Sequence, residues 1–132
     1  MSKINLNFTI EIKDNKEIVK LQDKELLNEV AKEWADKIER GTKKTQVRNF
    51  YDKVLELENE IKENDFESVY PFIKMLNSKV AYGVSRKVVS KEFENMFNEC
   101  LKQIELNDKG EQTFKNFKLF FEAVIGFYKG RD

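Results

Sequence analysis

Hydrophobic and polar residues alternate at the start of the chain. Every second residue over positions 4–12 is apolar, and the apolar set is Ile4, Leu6, Phe8, Ile10 and Ile12. A period of two predicts a β-strand with one apolar face, and Asp14-Asn15 predicts the turn that ends it. A single strand is not stable alone. We therefore expect it to pair with a copy of itself or a neighbouring protein, or to pack its apolar face on helices.

From about Asp23 the hydrophobic spacing changes to three and four residues, which predicts helices. Five helices are expected. The first helix ends at Arg40-Gly41, with Gly41 left-handed after its last turn. The second helix is capped by Thr42 or Thr45 and ends at Asn64-Asp65, and the third begins near Phe66 and runs through Val84. The fourth helix begins after Ser90, and the last spans about Glu111 to Tyr128. Pro71 is tolerated near the start of the third helix and would otherwise kink it.

The apolar stripes predict which residues are buried. The third helix should bury Val69, Phe72, Ile73, Leu76, Val80 and Val84. The phenylalanines of the last helix are expected in the core rather than on a base-stacking surface, and Cys100 is expected to be a small apolar filler. The predicted fold class is all-α, a compact five-helix bundle with a short extended N-terminal segment. The length of 132 residues favours one domain over 1–132, with an extended or irregular segment over 1–22.

Composition removes several kinds of chemistry. The sequence contains no histidine and a single cysteine, Cys100, so imidazole bases, histidine-ligated metals and thiolate zinc sites are excluded. Residues 41–45 lack the spaced glycines of a phosphate-binding loop. Carboxylate chemistry remains formally possible, but the presence of 24 acidic residues is no evidence for it. We expect no enzyme activity, no cofactor and no metal. Without a leader or a long apolar run, the expected location is the cytoplasm, with no membrane partner.

Charge is segregated, although 24 basic residues balance 24 acidic ones overall. Residues 40–51 contain no acid and hold Arg40, Lys43, Lys44 and Arg48. Residues 68–91 also contain no acid, and hold Lys74, Lys79, Arg86, Lys87 and Lys91. Two acid-free segments in a chain that is 36% charged suggest surfaces for an extended anion, of which a nucleic-acid backbone is the first candidate.

Helical spacing groups some of these residues. Lys44 and Arg48 are four apart on the second helix, and Lys79, Tyr82, Gly83 and Arg86 lie along one side of the third. A planar guanidinium suits phosphate, and an exposed Tyr82 ring could stack on a base. Gly83 would let a neighbouring backbone approach closely. The alternative is a solvated basic face that balances the acidic residues between positions 52 and 67.

Three segments resemble one family in order and spacing. They are Thr45–Tyr51 (TQVRNFY), Lys79–Arg86 (KVAYGVSR) and Phe117–Lys129 (FKLFFEAVIGFYK). They are similar to the signatures of the small subunit of the type III-A CRISPR effector, the Csm complex, over about Leu26 to Lys129. Ile4–Ile12 lies outside that pattern and could be a partner-binding strand.

The resemblance implies a non-catalytic, RNA-binding helical subunit in antiviral defence. Its copies would stack into a short filament beside guide and target RNA, with the other Csm subunits and single-stranded RNA as partners. Gln46 and Arg48 match the first signature, and Lys79, Tyr82 and Arg86 match the second. Lys43, Lys44, Lys74 and Lys87 are added from the charge pattern alone. The alternative function is a structural helical protein whose basic faces mediate protein–protein assembly.

Overall fold

The computed structural model describes residues 3–21 and 25–130, in which a β-hairpin precedes a bundle of helices. The elements are β1 (Phe8–Lys13), β2 (Lys16–Leu21), a π-helical turn (Leu26–Val30) that continues into α1 (Ala31–Glu39), α2 (Lys44–Glu63), α3 (Phe66–Lys74), α4 (Leu76–Ser85), α5 (Lys91–Leu101) and α6 (Gly110–Phe127). The predicted all-α bundle of helices is confirmed. In it, α3 and α4 together occupy the place of the predicted third helix. The predicted first-helix start at Asp23 lies outside the described residues.

The N-terminal segment is a two-stranded antiparallel hairpin. Ile10 pairs with Val19 in its register. Asp14 and Asn15 have φ values of 54° and 63°, the pair of positive angles that a tight two-residue hairpin turn requires. The predicted strand and turn are therefore confirmed over β1. The second strand was not predicted, because adjacent Ile18 and Val19 break the alternation of residues 16–21.

Residues 4–6 tie the hairpin to the helices. Ile4 and Leu6 are buried, so packing on helices is confirmed for this part of the segment. The Gln103 side chain accepts from Leu6 N at 3.0 Å and donates to Ile4 O at 2.6 Å. The Asn116 amide donates to Leu6 O at 2.7 Å. These bonds satisfy backbone groups that burial would otherwise leave unpaired.

Helix ends follow the predictions except at α2. Gly41 has φ 87° after α1, and Ser90 caps α5 by accepting from Phe93 N at 3.1 Å. The N-cap of α2 is Lys43, without a side-chain cap bond, so the predicted caps Thr42 and Thr45 are wrong. Thr42 is held elsewhere, by Ser90.

The predicted third helix is divided at Met75. Pro71 lies inside α3 and lacks the N–H that would bond to the carbonyl of Glu67, whereas Met75 N still donates to Pro71 O at 3.0 Å. Leu76 and Val80 are buried as predicted, but Phe72 is 53% exposed, so its predicted burial is wrong. Phe72 stands at the edge of the apolar stripe, beside a groove that leaves it uncovered.

Phenylalanine rings from three helices meet in the core. Phe97 of α5 lies 5.4 Å from Phe50 of α2 and 5.3 Å from Phe121 of α6, measured between ring centroids. Phe114, Phe117, Phe120 and Phe121 of α6 are fully buried, which confirms their predicted core role. Cys100 is also fully buried, and burial raises the pKa of its thiol, as expected of an apolar filler.

Polar contacts join α2 to α6 outside the ring cluster. The Lys118 amine contacts both carboxylate oxygens of Glu58 at 3.0 Å, and the Tyr51 hydroxyl donates to Glu122. Desolvation and this carboxylate raise the pKa of Tyr51. No helix in the described part of the chain is long and apolar enough to cross a membrane.

Gly110 and Gly126 provide a matched pair of substitutions in α6. A Cβ on Gly110 would stand 2.0 Å from Glu105 O and 2.5 Å from the Phe66 ring, whereas one on Gly126 would meet nothing within 4 Å. We expect Gly110→Ala to lower the free energy of unfolding by about 3 kcal/mol through overpacking. Gly126→Ala should raise it by up to about 1 kcal/mol through helix propensity. Urea unfolding followed by circular dichroism measures both, and equal effects would contradict the close contact at Gly110.

Candidate functional site

Two loops that are distant in sequence are joined at one end of the bundle. Thr42, which is 2% exposed, donates through Oγ1 to Ser90 Oγ and accepts from Ser90 N, both at 2.9 Å. Lys43 N donates to Val88 O at 3.0 Å. We call these four residues the clasp. The Tyr128 hydroxyl adds a bond to Thr42 O, so the end of α6 meets the clasp as well.

The clasp brings the two acid-free segments together. Lys43 and Lys44 begin α2, and Arg86 and Lys87 follow α4. These four residues, called here the basic end, are all exposed. None of them takes part in an ion pair with the residues that the structure describes. Lys91 differs, because its amine contacts the Glu94 carboxylate at 2.5 Å.

The backbone that presents Arg86 and Lys87 is a tight helix end. Val88 N donates to Gly83 O and Lys87 N donates to Val84 O, both at 3.0 Å, the two bonds of a Schellman motif. Lys87 occupies its left-handed position with φ 61°, a place that favours glycine. The positive charges of Arg86 and Lys87 also complement the negative end of the α4 dipole, so these residues stabilise the helix as well.

One face of α4 continues the basic end. Lys79, Tyr82 and Arg86 follow one another at intervals of three and four residues, which places them on the same side of the helix. Tyr82 is 64% exposed, and Arg86 Cζ lies 5.4 Å from its ring centroid. A solvent-facing ring beside a guanidinium can stack on a planar group and still present a charge.

Gly83 is explained by the protein's own packing. A Cβ at this position would stand 2.9 Å from Val89 Cγ2. The sequence predicted a neighbouring backbone at Gly83, whereas the close neighbour is the side chain of Val89, which packs against α4 just after the Schellman motif.

Lys79 faces Gln46 across a shallow groove between α4 and α2. A concavity of 210 Å³ there is lined by Gln46, Asn49, Phe50, Lys53 and Lys79. Lys53 was missed by the sequence analysis, because Asp52 and Glu56 flank it and the acid-free criterion excluded it. Its amine lies 3.5 Å from the Glu56 carboxylate, with 37% of the lysine side chain exposed.

Two predicted residues stand apart from the groove between α4 and α2. Arg48 is two residues from Gln46 on α2, which turns them about 200° apart, so Arg48 projects from the other flank with Lys44. The Lys74 amine donates to Leu101 O at 2.5 Å and lies 5.5 Å from the Tyr70 ring centroid. Burial lowers the pKa of Lys74. Lys74 therefore caps the end of α5, away from the groove.

The gathered groups are donors and positive charges. Within residues 3–21 and 25–130 no cluster of three or more acidic or cysteine side chains is arranged to hold a metal ion. The basic end, the α4 face and the groove rim can attract an anion and bind its oxygens.

Replacing Thr42 by valine tests the clasp. Valine keeps the shape of the side chain but leaves Ser90 N without its acceptor, so the free energy of unfolding should fall by about 2 kcal/mol. Amide hydrogen exchange at Lys43 and Ser90 should accelerate. Thr113→Val is the control, because the Thr113 hydroxyl donates to the carbonyl of Lys109, the N-cap residue of α6, and its loss should change stability by less than about 0.5 kcal/mol. Unchanged exchange at both clasp amides would contradict the role given to Thr42.

The comparisons with known proteins agree with the resemblance found in the sequence. A model of the family described as Csm2 Type III-A matches residues 21–131. No match was found among curated proteins, and none among solved structures. The matched range contains the clasp, the basic end and the groove, and it begins at the last residue of β2. The chain therefore belongs to the Csm2 family, the structural small subunits that assemble with other Csm proteins in the type III-A CRISPR complex.

Proposed function

We propose that this small subunit binds the phosphate backbone of guide or target RNA without reading its sequence. The observation that carries the proposal is the clasp, which gathers Lys43, Lys44, Arg86 and Lys87 at one end of the bundle. Exposed cations with no ion-pair partner in the described part of the chain keep their charge available for phosphates. Backbone contacts of this kind position a protein on RNA but carry no sequence information.

Each group has a distinct part in the proposed contact. The Arg86 guanidinium can donate two parallel hydrogen bonds to a phosphate, and Lys79 offers a point charge seven residues earlier on the same side of α4. Tyr82 presents its ring for stacking on an unpaired base. Lys43, the N-cap residue of α2, makes no side-chain cap bond, and the start of α2 adds the positive end of a helix dipole beside Lys44. Gln46 contributes hydrogen bonds from the groove.

The wider setting is part of the same proposal. Copies of the chain stack beside the RNA in the cytoplasm, and the weak contacts of each copy are multiplied along the row. The chain takes no catalytic step, and its part in antiviral defence is to hold RNA in place for other subunits. Arg48 would add a contact on the flank of α2 that carries Lys44, and Lys74 is left out because Leu101 O engages its amine.

Arg86→Ala and Lys79→Ala test the proposed contact one cation at a time. Each should weaken binding of single-stranded RNA several-fold, by the same factor for unrelated sequences, because a phosphate contact is lost. Each should also reduce the slope of log affinity against log salt by about 0.7. Fluorescence anisotropy of labelled RNA over a salt series measures both quantities, and circular dichroism checks that helicity is unchanged.

Lys74→Ala is the matched control within the same acid-free segment. It removes one positive charge but also the bond to Leu101 O, so it should lower the free energy of unfolding by about 1–2 kcal/mol. Its RNA affinity at temperatures well below unfolding should stay near that of the wild type. An equal loss of RNA binding in Lys74→Ala and Arg86→Ala would show that total charge, and not the basic end, governs binding.

The decisive result comes from the assembled complex. If Lys79 and Arg86 are both replaced and the Csm complex retains its RNA unchanged, the proposed contact is wrong. Salt-sensitive assembly in the absence of RNA would then favour the other function, in which the basic faces dock acidic surfaces of neighbouring subunits.

A further inference from the structure

The segment Phe117–Lys129 ends in two residues to which the proposed function gives no part. Helix α6 ends at Phe127, and Tyr128 has extended backbone angles, φ −72° and ψ 130°, so the chain leaves the helix axis at Tyr128. The Tyr128 ring packs against the core, and its hydroxyl donates to Thr42 O. The residues that follow α6 are therefore tied to the clasp.

Gly130 turns back onto the same tyrosine. A Cβ on Gly130 would overlap the hydroxyl oxygen of Tyr128 and the ring carbon that carries it, so only glycine lets the backbone pass this close. Gly126, in the last turn of α6, differs, because a Cβ there would meet nothing within 4 Å. The backbone of Gly130 therefore lies beside the one atom of Tyr128 that bonds to Thr42 O.

Lys129 lies between these two fixed points. Consecutive Cα atoms are about 3.8 Å apart, so the Lys129 Cα is no further than that from Gly130, close to the clasp. Lys129 is exposed, and it forms no ion pair with any residue that the structure describes. Its flexible four-carbon stem lets the ammonium group approach an anion that is bound at Lys43.

We propose that Lys129 is a further phosphate-binding residue of the basic end, and that Tyr128 and Gly130 are the positioning residues that hold it there. The inference rests on the proposed function and adds a cation that follows α6 to those that α2 and α4 present. Because the contacts with Thr42 O and at Gly130 order the backbone of Lys129 in advance, less conformational entropy is lost when its side chain meets a phosphate.

Lys129 also lies where a cation complements the negative end of the α6 dipole, so the experiment must separate helix stabilisation from RNA binding. Lys129→Ala should weaken binding of single-stranded RNA several-fold, equally for unrelated sequences, and lower the slope of log affinity against log salt by about 0.7. Lys129→Arg keeps the charge and should restore both quantities. Helix stabilisation alone would change the melting temperature but leave the RNA affinity and the salt slope as they are.

Gly130→Ala and Tyr128→Phe test the positioning residues. The first displaces the tyrosine hydroxyl and the second removes it, so each should lower RNA affinity by about as much as Lys129→Ala, with helicity unchanged in circular dichroism. Adding Lys129→Ala to either variant should cause no further loss, because both changes remove the same contact. Gly126→Ala is the matched control, since it adds the same methyl group in open space and should bind RNA like the wild type.

Two outcomes would overturn the inference. One is a Lys129→Ala variant with wild-type RNA affinity and salt slope, and the other is additive losses when Lys129→Ala is combined with Gly130→Ala or Tyr128→Phe. Arg86→Ala, measured in the same salt series, keeps the inference separate from the proposed function. If Arg86→Ala loses affinity and Lys129→Ala does not, only the part given to Lys129 is wrong. If neither substitution changes binding, the proposed function is wrong as well.

Discussion

The position of Phe97 constrains the rest of the bundle. Its ring lies within 5.4 Å, between centroids, of Phe50 on α2, Phe93 on α5 and both Phe117 and Phe121 on α6. Aromatic contacts of this kind have preferred geometries, so they fix how far each helix can slide along its neighbours. With α2 and α5 held at one level, the loops that precede them meet at the same end of the molecule. The clasp and the basic end therefore depend on ring packing near the middle of the bundle.

Local signals in the sequence were enough to predict most of the helices. Gly41 and Ser90 end and begin helices as predicted, since a left-handed residue and a capping hydroxyl act over three or four positions. Thr42 has the same capping chemistry but is used differently, because a partner 48 residues away competes for its hydroxyl. Phe72 was misassigned for a related reason. Whether the edge of a stripe is covered depends on a neighbouring helix, which periodicity does not reveal.

The candidate site could be predicted as residue types but not as an arrangement. The acid-free segments marked Lys43 and Arg86 correctly as exposed cations, yet nothing in the sequence says that a clasp joins the segments. Lys74 shares the composition of its neighbours, but its amine is bound by the carbonyl of Leu101 at the end of α5, and composition does not reveal this contact between distant segments. Lys53 lines the groove but was not predicted, because acidic residues flank it in the sequence and the search was for acid-free segments.

The burial of Leu6 has a consequence for how the protein is made. Its carbonyl is bound by Asn116, a residue 110 positions later, and Ile4 is bound by Gln103. Contacts this distant in sequence form slowly and late. During synthesis Ile4 and Leu6 therefore stay uncovered until Gln103 and Asn116, which bind their carbonyls, have left the ribosome. The helices can form as they emerge, but the native core closes only after α6 has emerged.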